Sequence, residues 1–490
     1  MPAAGAPRRT VGCFMFSLGL LAFVSFLVTL LLTPYVRNVA LRRSWVDAPD
    51  HGRDGARKVH RIPIPRLGGV PIFVAYAVAF GVLLALPLQA GGLVELGVVA
   101  RLAPAVVVIF VVGLVDDVWG LPPWQKLVGQ LAAAGAAHAA GVTLVAVGGY
   151  ALPGWAQLAG TLGWLVLLTN AINLIDGMDG LATGVSLFAA LTMLTSALLV
   201  GNVPLALATV PLAGALLGFL RYNFNPATIF LGDCGSLLIG FLLGCFGLIW
   251  SQKSATMLGV TAPLLALAIP LLDVALAIVR RFLKRQSIFG ADRGHIHHRL
   301  LDKGLSVRQA ALVLYAVALV LAVLSLVSSV TQDSYAGLVL VLFCAVTWIG
   351  VQGLGYVEIN MAGRLLIGGG FRRMLLGQLA LRSYQERMKG AGSAEEAWGI
   401  VQETAREMGF HRVAWQVAGT EWEARVREEV SGAEWTAELP LRNGDWVRVS
   451  RPFESTVHQA AMGPFLDTLR GTLMEKSKGW ERERRRAAGA

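Results

Sequence analysis

The stretch "LGDCGSLLIGFLLGCFGLIW", residues 231–250, decides the fold. Past Cys234 it stays apolar to Trp250, close to the length that crosses a bilayer as a helix. Yet it opens on a charged side chain, Asp233. A carboxylate at the mouth of a membrane helix is costly and marks a functional position by default. The bland reading is a helix cap, for which Asp is well suited.

Runs of this kind recur along most of the chain. Eleven are expected, at roughly 13–33, 68–88, 94–115, 127–149, 155–172, 180–200, 203–220, 235–251, 258–279, 309–330 and 335–357. Ala and Gly dilute the runs near 127–149 and 155–172. The chain is 55% hydrophobic and 15% charged, against about 25% charged in soluble domains. An ordinary soluble domain is excluded, and a polytopic α-helical membrane protein is implied. The first run lacks an A-x-A cleavage site, so we read it as a retained helix. Cys13, Cys234, Cys245 and Cys344 show no paired spacing, which argues against a disulfide framework or a zinc ribbon.

Net charge is +11, and its placement sets topology. The loop after the first span holds Arg37, Arg42, Arg43, Arg53, Arg57, Lys58, Arg61 and Arg66. The loop after the ninth holds Arg280, Arg281, Lys284, Arg285, Arg293, Arg299, Lys303 and Arg308. Both are odd-numbered connections, and the even-numbered ones carry little beyond Lys253. Positive charge marks the cytoplasmic side, so the N-terminus is expected outside and the C-terminus inside. Arg8 and Arg9 point the other way but are outnumbered. Topology and anionic lipid headgroups explain this charge better than nucleic acid does.

The polar clusters follow the same odd connections. "LVDDVWGLPPWQK" brings Asp116, Asp117 and Lys126. "TNAINLIDGMDGLATG" brings Asn170, Asn173, Asp176 and Asp179. "RYNFNPATIFLGDCGS" brings Asn223, Asn225 and Asp233. Any one Asp could be a cap, but all of them on one membrane face point to a hard-oxygen site that suits magnesium. "ADRGHIHHRL", residues 291–300, lies on that face too. Zinc wants Cys or His at defined spacing, and here arginines flank the imidazoles. His295, His297 and His298 with Arg293 and Arg299 instead form a donor-rich cradle for phosphate oxygens. The residues describe a membrane enzyme with a cytoplasmic magnesium and phosphate site, placed where a lipid headgroup would lie.

These motifs resemble the polyprenyl-phosphate N-acetylhexosamine-1-phosphate transferases, in the bacterial branch that loads N-acetylglucosamine-1-phosphate onto undecaprenyl phosphate. The matching pieces are "VHRIPIPRLGG", "GLVDDVWG", "NAINLIDGMDGLATG", "IFLGDCGSLLIG" and "DRGHIHHRL", in the family's order over roughly residues 40–310. The resemblance implies attack by a polyprenyl phosphate oxygen on the β-phosphorus of a UDP-N-acetylhexosamine, releasing UMP. It implies Mg2+, with Mn2+ as an alternative, held by Asp233 with Asn173 close by. It implies catalytic roles for Asp116, Asp117, Asp176 and Asp179. Asn170, Asn173 and Lys126 would meet the substrate, as would Arg293, His295, His297, His298 and Arg299 in the basic motif. The order His-Ile-His-His-Arg resembles the branch using simple amino sugars, with N-acetylglucosamine leading. His60 and Asp273 lie within the resemblance without a settled role; for Asp273 the open readings are catalysis, a structural pairing with Arg280, seven residues on, and a tunnel lining.

Beyond the spans, charge rises and long apolar runs stop. The expected domains are a transferase domain at 1–358, a basic amphipathic linker at 359–390 and a small cytoplasmic α+β domain at 391–490. Ala394, Ala397, Trp398, Val401, Ala405 and Met408 recur at helical spacing. Val413, Trp415 and Val417 alternate, and "WTAELPLRNGDWVRVS" reads as a hairpin across Asn443-Gly444. Leu466, Leu469 and Leu473 form a closing helical stripe. The pattern resembles a GAF-type module, with regulator binding and homodimer formation as open roles. The alternatives are the phospho-MurNAc-pentapeptide translocase, which the histidine order disfavours, and a transporter. A transporter would place carboxylates at mid-membrane in two related halves, and neither feature is present.

Overall fold

Helices stand at each of the expected apolar runs. The computed structural model describes residues 8–47, 63–85, 96–147, 150–252, 261–283, 294–331, 335–354, 370–417, 419–427, 433–453 and 462–488. His60, Lys253, Lys284, Arg285, Arg293 and linker residues 359–369 lie outside the described residues. The chain divides into two units, Met1–Tyr356 and Val357–Ala490.

The first unit runs α1 (Arg8–Arg42), α2 (Gly69–Ala85), α3 (Leu96–Trp119), α4 (Pro123–Ala139), α5 (Gly154–Ile175), α6 (Leu181–Leu199) and α7 (Val203–Asn223). It continues with α8 (Gly232–Gln252), α9 (Thr261–Ala266), α10 (Ala268–Leu283), α11 (Ile296–Asp302), α12 (Val307–Thr331) and α13 (Ala336–Gly353). Among the described residues seven helices are long and apolar enough to cross a membrane: α1, α3, α5, α6, α7, α8 and α12. α2 and α13 are apolar but shorter. This is the architecture of a polytopic membrane protein.

Two expected spans differ from the structure. The run at 258–279 is broken at Leu267 into α9 and α10. Pro270 explains the break: it has no N–H to offer Ala266, and its ring would meet that carbonyl in a continuous helix. The run at 127–149 stops at Ala139, where Ala140 caps the helix and Gly141 follows at φ 96°. A left-handed residue there ends a helix readily. A short hairpin, β3 (Ala146–Val147) with β4 (Tyr150–Ala151), completes the stretch.

α8 is central. Its apolar stretch is 89% buried, against 28% for α1, as expected of a helix that is apolar all round. Its first turn touches α3 backbone to backbone. A Cβ on Gly113 would lie 2.5 Å from the Asp233 carbonyl oxygen. Another small hairpin, β1 (Val46–Asp47) with β2 (Ile64–Pro65), is antiparallel. Pro65 accepts from Phe230 N at 2.8 Å, tying β2 to the segment that leads into α8.

The C-terminal unit contains α14 (Gly370–Gly390), α15 (Ala394–Glu407) and a four-stranded antiparallel sheet. Its strands are β5 (Arg412–Val417), β6 (Thr420–Arg425), β7 (Glu434–Pro440) and β8 (Trp446–Pro452), ordered β6-β5-β8-β7. α16 (Met462–Ala488) closes it. Val413, Trp415 and Val417 are buried, as the alternation predicts, and join Val447, Val449, Trp398, Val401, Phe465, Leu469 and Leu473 in one core. The Asn443-Gly444 turn has both residues at positive φ, and it pairs β7 with β8. Strand β6 has no counterpart in the sequence reading, because "TEWEAR" is too polar to announce itself.

Candidate active site

Four helices deliver one polar cluster. α3 ends with Asp116, α4 begins near Lys126, α5 ends with Asn173, and α8 begins with Asp233. The Lys126 ammonium lies 2.6 Å from Asp116 Oδ2 and 2.5 Å from Asp233 Oδ2. Asn173 Nδ2 donates to Asp233 Oδ1 at 3.0 Å and to Ser236 Oγ at 2.8 Å. Asp116 Oδ1 accepts from Leu121 N at 2.7 Å, which fixes the carboxylate at the α3–α4 turn. These groups are only partly buried, so the cluster is open to a ligand.

Asp117 does something different. Its Oδ1 accepts from Asp233 N at 2.9 Å and its Oδ2 from Cys234 N at 2.8 Å. These amides belong to the first turn of α8, whose own N–H groups have no partner within the helix. Asp117 is therefore the cap of α8, supplied by α3. The positive end of the α8 dipole already faces a carboxylate. Phosphate oxygens must find their donors elsewhere.

The acidic loop between α5 and α6 divides its carboxylates similarly. Asp179 Oδ2 accepts from Asn225 Nδ2 at 2.8 Å and Ala227 N at 3.0 Å, and so secures the 225–227 loop. Asp176 caps the end of α5 and is half-buried. Burial, with the charges of Asp233 and Asp117 nearby, holds its carboxyl well above the ordinary range. Asn170 turns away from this cluster: its Nδ2 donates to Gln130 Oε1 at 2.7 Å and to Val166 O at 2.8 Å.

The histidine motif meets the acidic loop. His295 caps the short helix α11, which carries His297, His298 and Arg299. The His297 ring is buried, and its Nε2 has no hydrogen-bond partner among the described residues. That nitrogen lies against Gly177; a Cβ there would sit 2.7 Å from it. Burial first, then the neighbouring His298 ring, pushes His297 down to about 3, so it is neutral at physiological pH. His298 lies 4.3 Å from His297, ring centre to ring centre. His295 Nδ1 faces Asp273 Oδ2 at 2.8 Å, and Asp273 Oδ1 accepts from Ile296 N at 2.8 Å. Arg280 donates to Gly294 O at 2.8 Å. Asp273 and Arg280 thus both reach the histidine segment.

The structure brings Asp116, Lys126, Asn173 and Asp233 into direct contact, and joins Asp117 to them through the α8 backbone. Sequence reasoning missed Gln130, although an amide one turn past Lys126, at the edge of an Ala- and Gly-rich run, is a usable signal. It also left Arg66 as topology only. Arg66 pairs with Asp47, and its charge acts on Asp176.

The donor set fits magnesium. Asp116 and Asp233 supply hard carboxylate oxygens that converge on one cationic point, the Lys126 ammonium, while Asn173 turns its Nδ2 donor to Asp233. Among the described residues no three ligating His, Cys, Asp or Glu side chains form a cage. Magnesium does not need one, since it commonly binds one or two carboxylates, waters and substrate phosphates.

Residues 99–251 match glycosyl transferase family 4. That interval spans Asp116, Lys126, Asn173 and Asp233. A Bacillus subtilis protein named as a probable undecaprenyl-phosphate N-acetylglucosaminyl 1-phosphate transferase is 35% identical over 316 residues, covering 62% of this chain and 83% of its own. A Mycolicibacterium smegmatis decaprenyl-phosphate N-acetylglucosaminephosphotransferase is 36% identical over 342 residues, covering 64% and 80%. A Desulforamulus reducens phospho-N-acetylmuramoyl-pentapeptide-transferase is 35% identical over a shorter 246 residues, covering 46% and 71%.

Proposed function

The chain belongs to glycosyl transferase family 4, among the polyprenyl-phosphate N-acetylglucosamine-1-phosphate transferases, and on that premise we propose how its site works. The enzyme transfers N-acetylglucosamine-1-phosphate to a polyprenyl phosphate. We take the donor to be UDP-N-acetylglucosamine and the acceptor to be undecaprenyl phosphate. An acceptor phosphate oxygen attacks the β-phosphorus. The bond from that phosphorus to the bridging oxygen breaks, and UMP leaves with the oxygen.

One observation carries this reading: Lys126 is held between Asp116 and Asp233, with Asn173 on the far oxygen of Asp233. Two anionic phosphates must approach each other, so the task is charge neutralisation and alignment. Lys126 is the cation that the two carboxylates aim. Asp233 and Asp116, with Asn173 beside them, are the groups that would hold magnesium. When bound, the ion neutralises phosphate charge and orients the diphosphate. Asp117 and Asp179 act by holding backbone, so their contribution is positional. His298 and Arg299 supply donors to phosphate oxygens. His297, neutral and buried, packs the motif against Gly177.

The surrounding assignments follow. We propose eleven spans in a bacterial inner membrane, with α9 and α10 forming the broken ninth; the excess of Lys and Arg in the odd-numbered connections supports a cytoplasmic site and C-terminal unit and an outside N-terminus. The C-terminal unit is a docking or regulatory module, in which GAF-like ligand binding and dimer formation are testable roles.

The test uses purified protein, undecaprenyl phosphate, magnesium and radiolabelled UDP-N-acetylglucosamine. Label should enter the lipid phase with matching UMP release. Both should vanish with EDTA and with Asp233→Asn. Label entering only from UDP-MurNAc-pentapeptide would replace this reading with the translocase.

A further inference from the structure

We propose that Asp273, a carboxylate buried inside helix α10, is a positioning residue for the transfer site: it fixes the ring orientation of His295 and the start of α11. The proposal rests on the transferase reading above. Asp273 is 1% exposed and His295 7%. A carboxylate so placed is costly unless its oxygens are used, and both are. Oδ2 faces His295 Nδ1 at 2.8 Å as its acceptor, and Oδ1 accepts from the amide N–H of Ile296, the first residue of α11, at 2.8 Å. No side chain of α11's own cap serves that end of the helix.

Arg280 closes the clamp from the same helix. It lies seven residues on, two helical turns along the same face of α10. Its Nη1 donates to Gly294 O at 2.8 Å. One face of α10 therefore holds three consecutive residues, Gly294, His295 and Ile296. From there the order passes outward by ring packing. His295 stacks parallel to His297 at 5.9 Å and 4°, and His297 rests on Gly177 beside Asp176. α10 thus sets how the histidine motif meets the acidic loop.

Chemically, a carboxylate on Nδ1 leaves Nε2 as the ring atom that faces away from α10. It fixes the tautomer as a buried acceptor does in other histidine sites. Asparagine at 273 has one acceptor oxygen. If Ile296 N keeps it, the amide NH2 faces Nδ1 and reverses the tautomer.

The experiment is a double-mutant cycle in the full-length protein: wild type, Asp273→Asn, His295→Gln and the double variant. It is read by kcat and KM for UDP-N-acetylglucosamine. Asp273→Asn is expected to lower kcat/KM about 10- to 100-fold in the wild-type background, the scale of a charged hydrogen bond. In the His295→Gln background the same change should cost less than about 2-fold. Asp273→Glu should recover part of the loss. Equal losses in both backgrounds, or wild-type kinetics in Asp273→Asn, would overturn the proposal. A second readout does not need turnover: 15N-histidine spectra, with the His295 signal assigned by its loss in His295→Gln. Asp273→Asn should move that signal to the other tautomer's shift, and an unmoved signal overturns the proposal. If wild-type protein transfers nothing while the His295 signal moves, the transferase reading fails and the Asp273–His295 contact stands as a structural clamp only.

Discussion

The two units use charge in opposite ways. In the membrane unit Lys126 reaches across 107 residues to Asp233, and Asp117 reaches across 116 to the Asp233 amide. These groups come from separate helices and hold each other inside a cluster. In the C-terminal unit Arg448 pairs with Glu438 ten residues away, and the two stay 47% and 52% exposed. Arg412 and Glu423 pair similarly across β5 and β6. Charge that folding gathers from distant positions is placed there for chemistry or for holding chemistry in place. Charge paired with its sheet neighbour and left in water contributes at most about 1 kcal/mol.

The comparison is sharpest at Asp233. Asp233→Asn should lower kcat/KM by about 100-fold or more, on the scale of losing a preorganised charge contact, as read by UMP release. A loss under 10-fold would break it. His297 gives the next largest effect, and its sign is fixed. Its folded value of about 3 lies below that of an unfolded histidine, so the folded chain binds fewer protons. The stability is complete above about pH 6.5 and is lost as pH falls toward about 3. The loss is at most roughly 5 kcal/mol. His297→Gln should flatten that acid limb in melting curves.

Asp117→Ala leaves two amides of α8 unpaired and should cost about 2 kcal/mol of stability. Thermal melting in detergent measures this, and activity should fall with it. Asp176 runs opposite to His297. Its carboxyl is raised, so the folded chain holds the proton more tightly than the unfolded one. That contribution is complete at acid pH and is lost as pH rises through the raised value. In EDTA, Asp176→Asn should therefore melt a few degrees higher than wild type at pH 8, with the difference shrinking toward pH 4. The smallest effect tests the other half of the comparison. Arg448→Ala should leave transfer unchanged and shift stability by under about 0.5 kcal/mol.

Much of this was legible in the sequence. Apolar length marks the helices, and the acids and histidines stand out because the surrounding membrane sequence is so poor in charge. What stayed hidden was the division of labour. Asp116 and Asp117 are neighbours in the chain, yet one faces Lys126 and the other caps α8. Adjacent residues on a helix point about 100° apart, and no motif says which direction meets the ligand. The Asp273–His295 contact was hidden for a similar reason: helical spacing suggested Arg280 as the partner, and the segment 294–296, far along the chain, supplied a better one. The break at Leu267 was foreshadowed by Pro270, but the apolar count alone ran past it.

The cap that Asp117 provides has a consequence for biogenesis. α3 enters the membrane well before α8 is synthesised. Until α8 arrives, Asp117 has no amides to receive, and Lys126 has only one of its two carboxylates. Neither the cation's position nor the start of α8 is defined in a partly inserted chain. The reaction centre is therefore completed late in assembly, and a truncated or half-inserted protein is expected to be silent, leaving sugar nucleotide unconsumed.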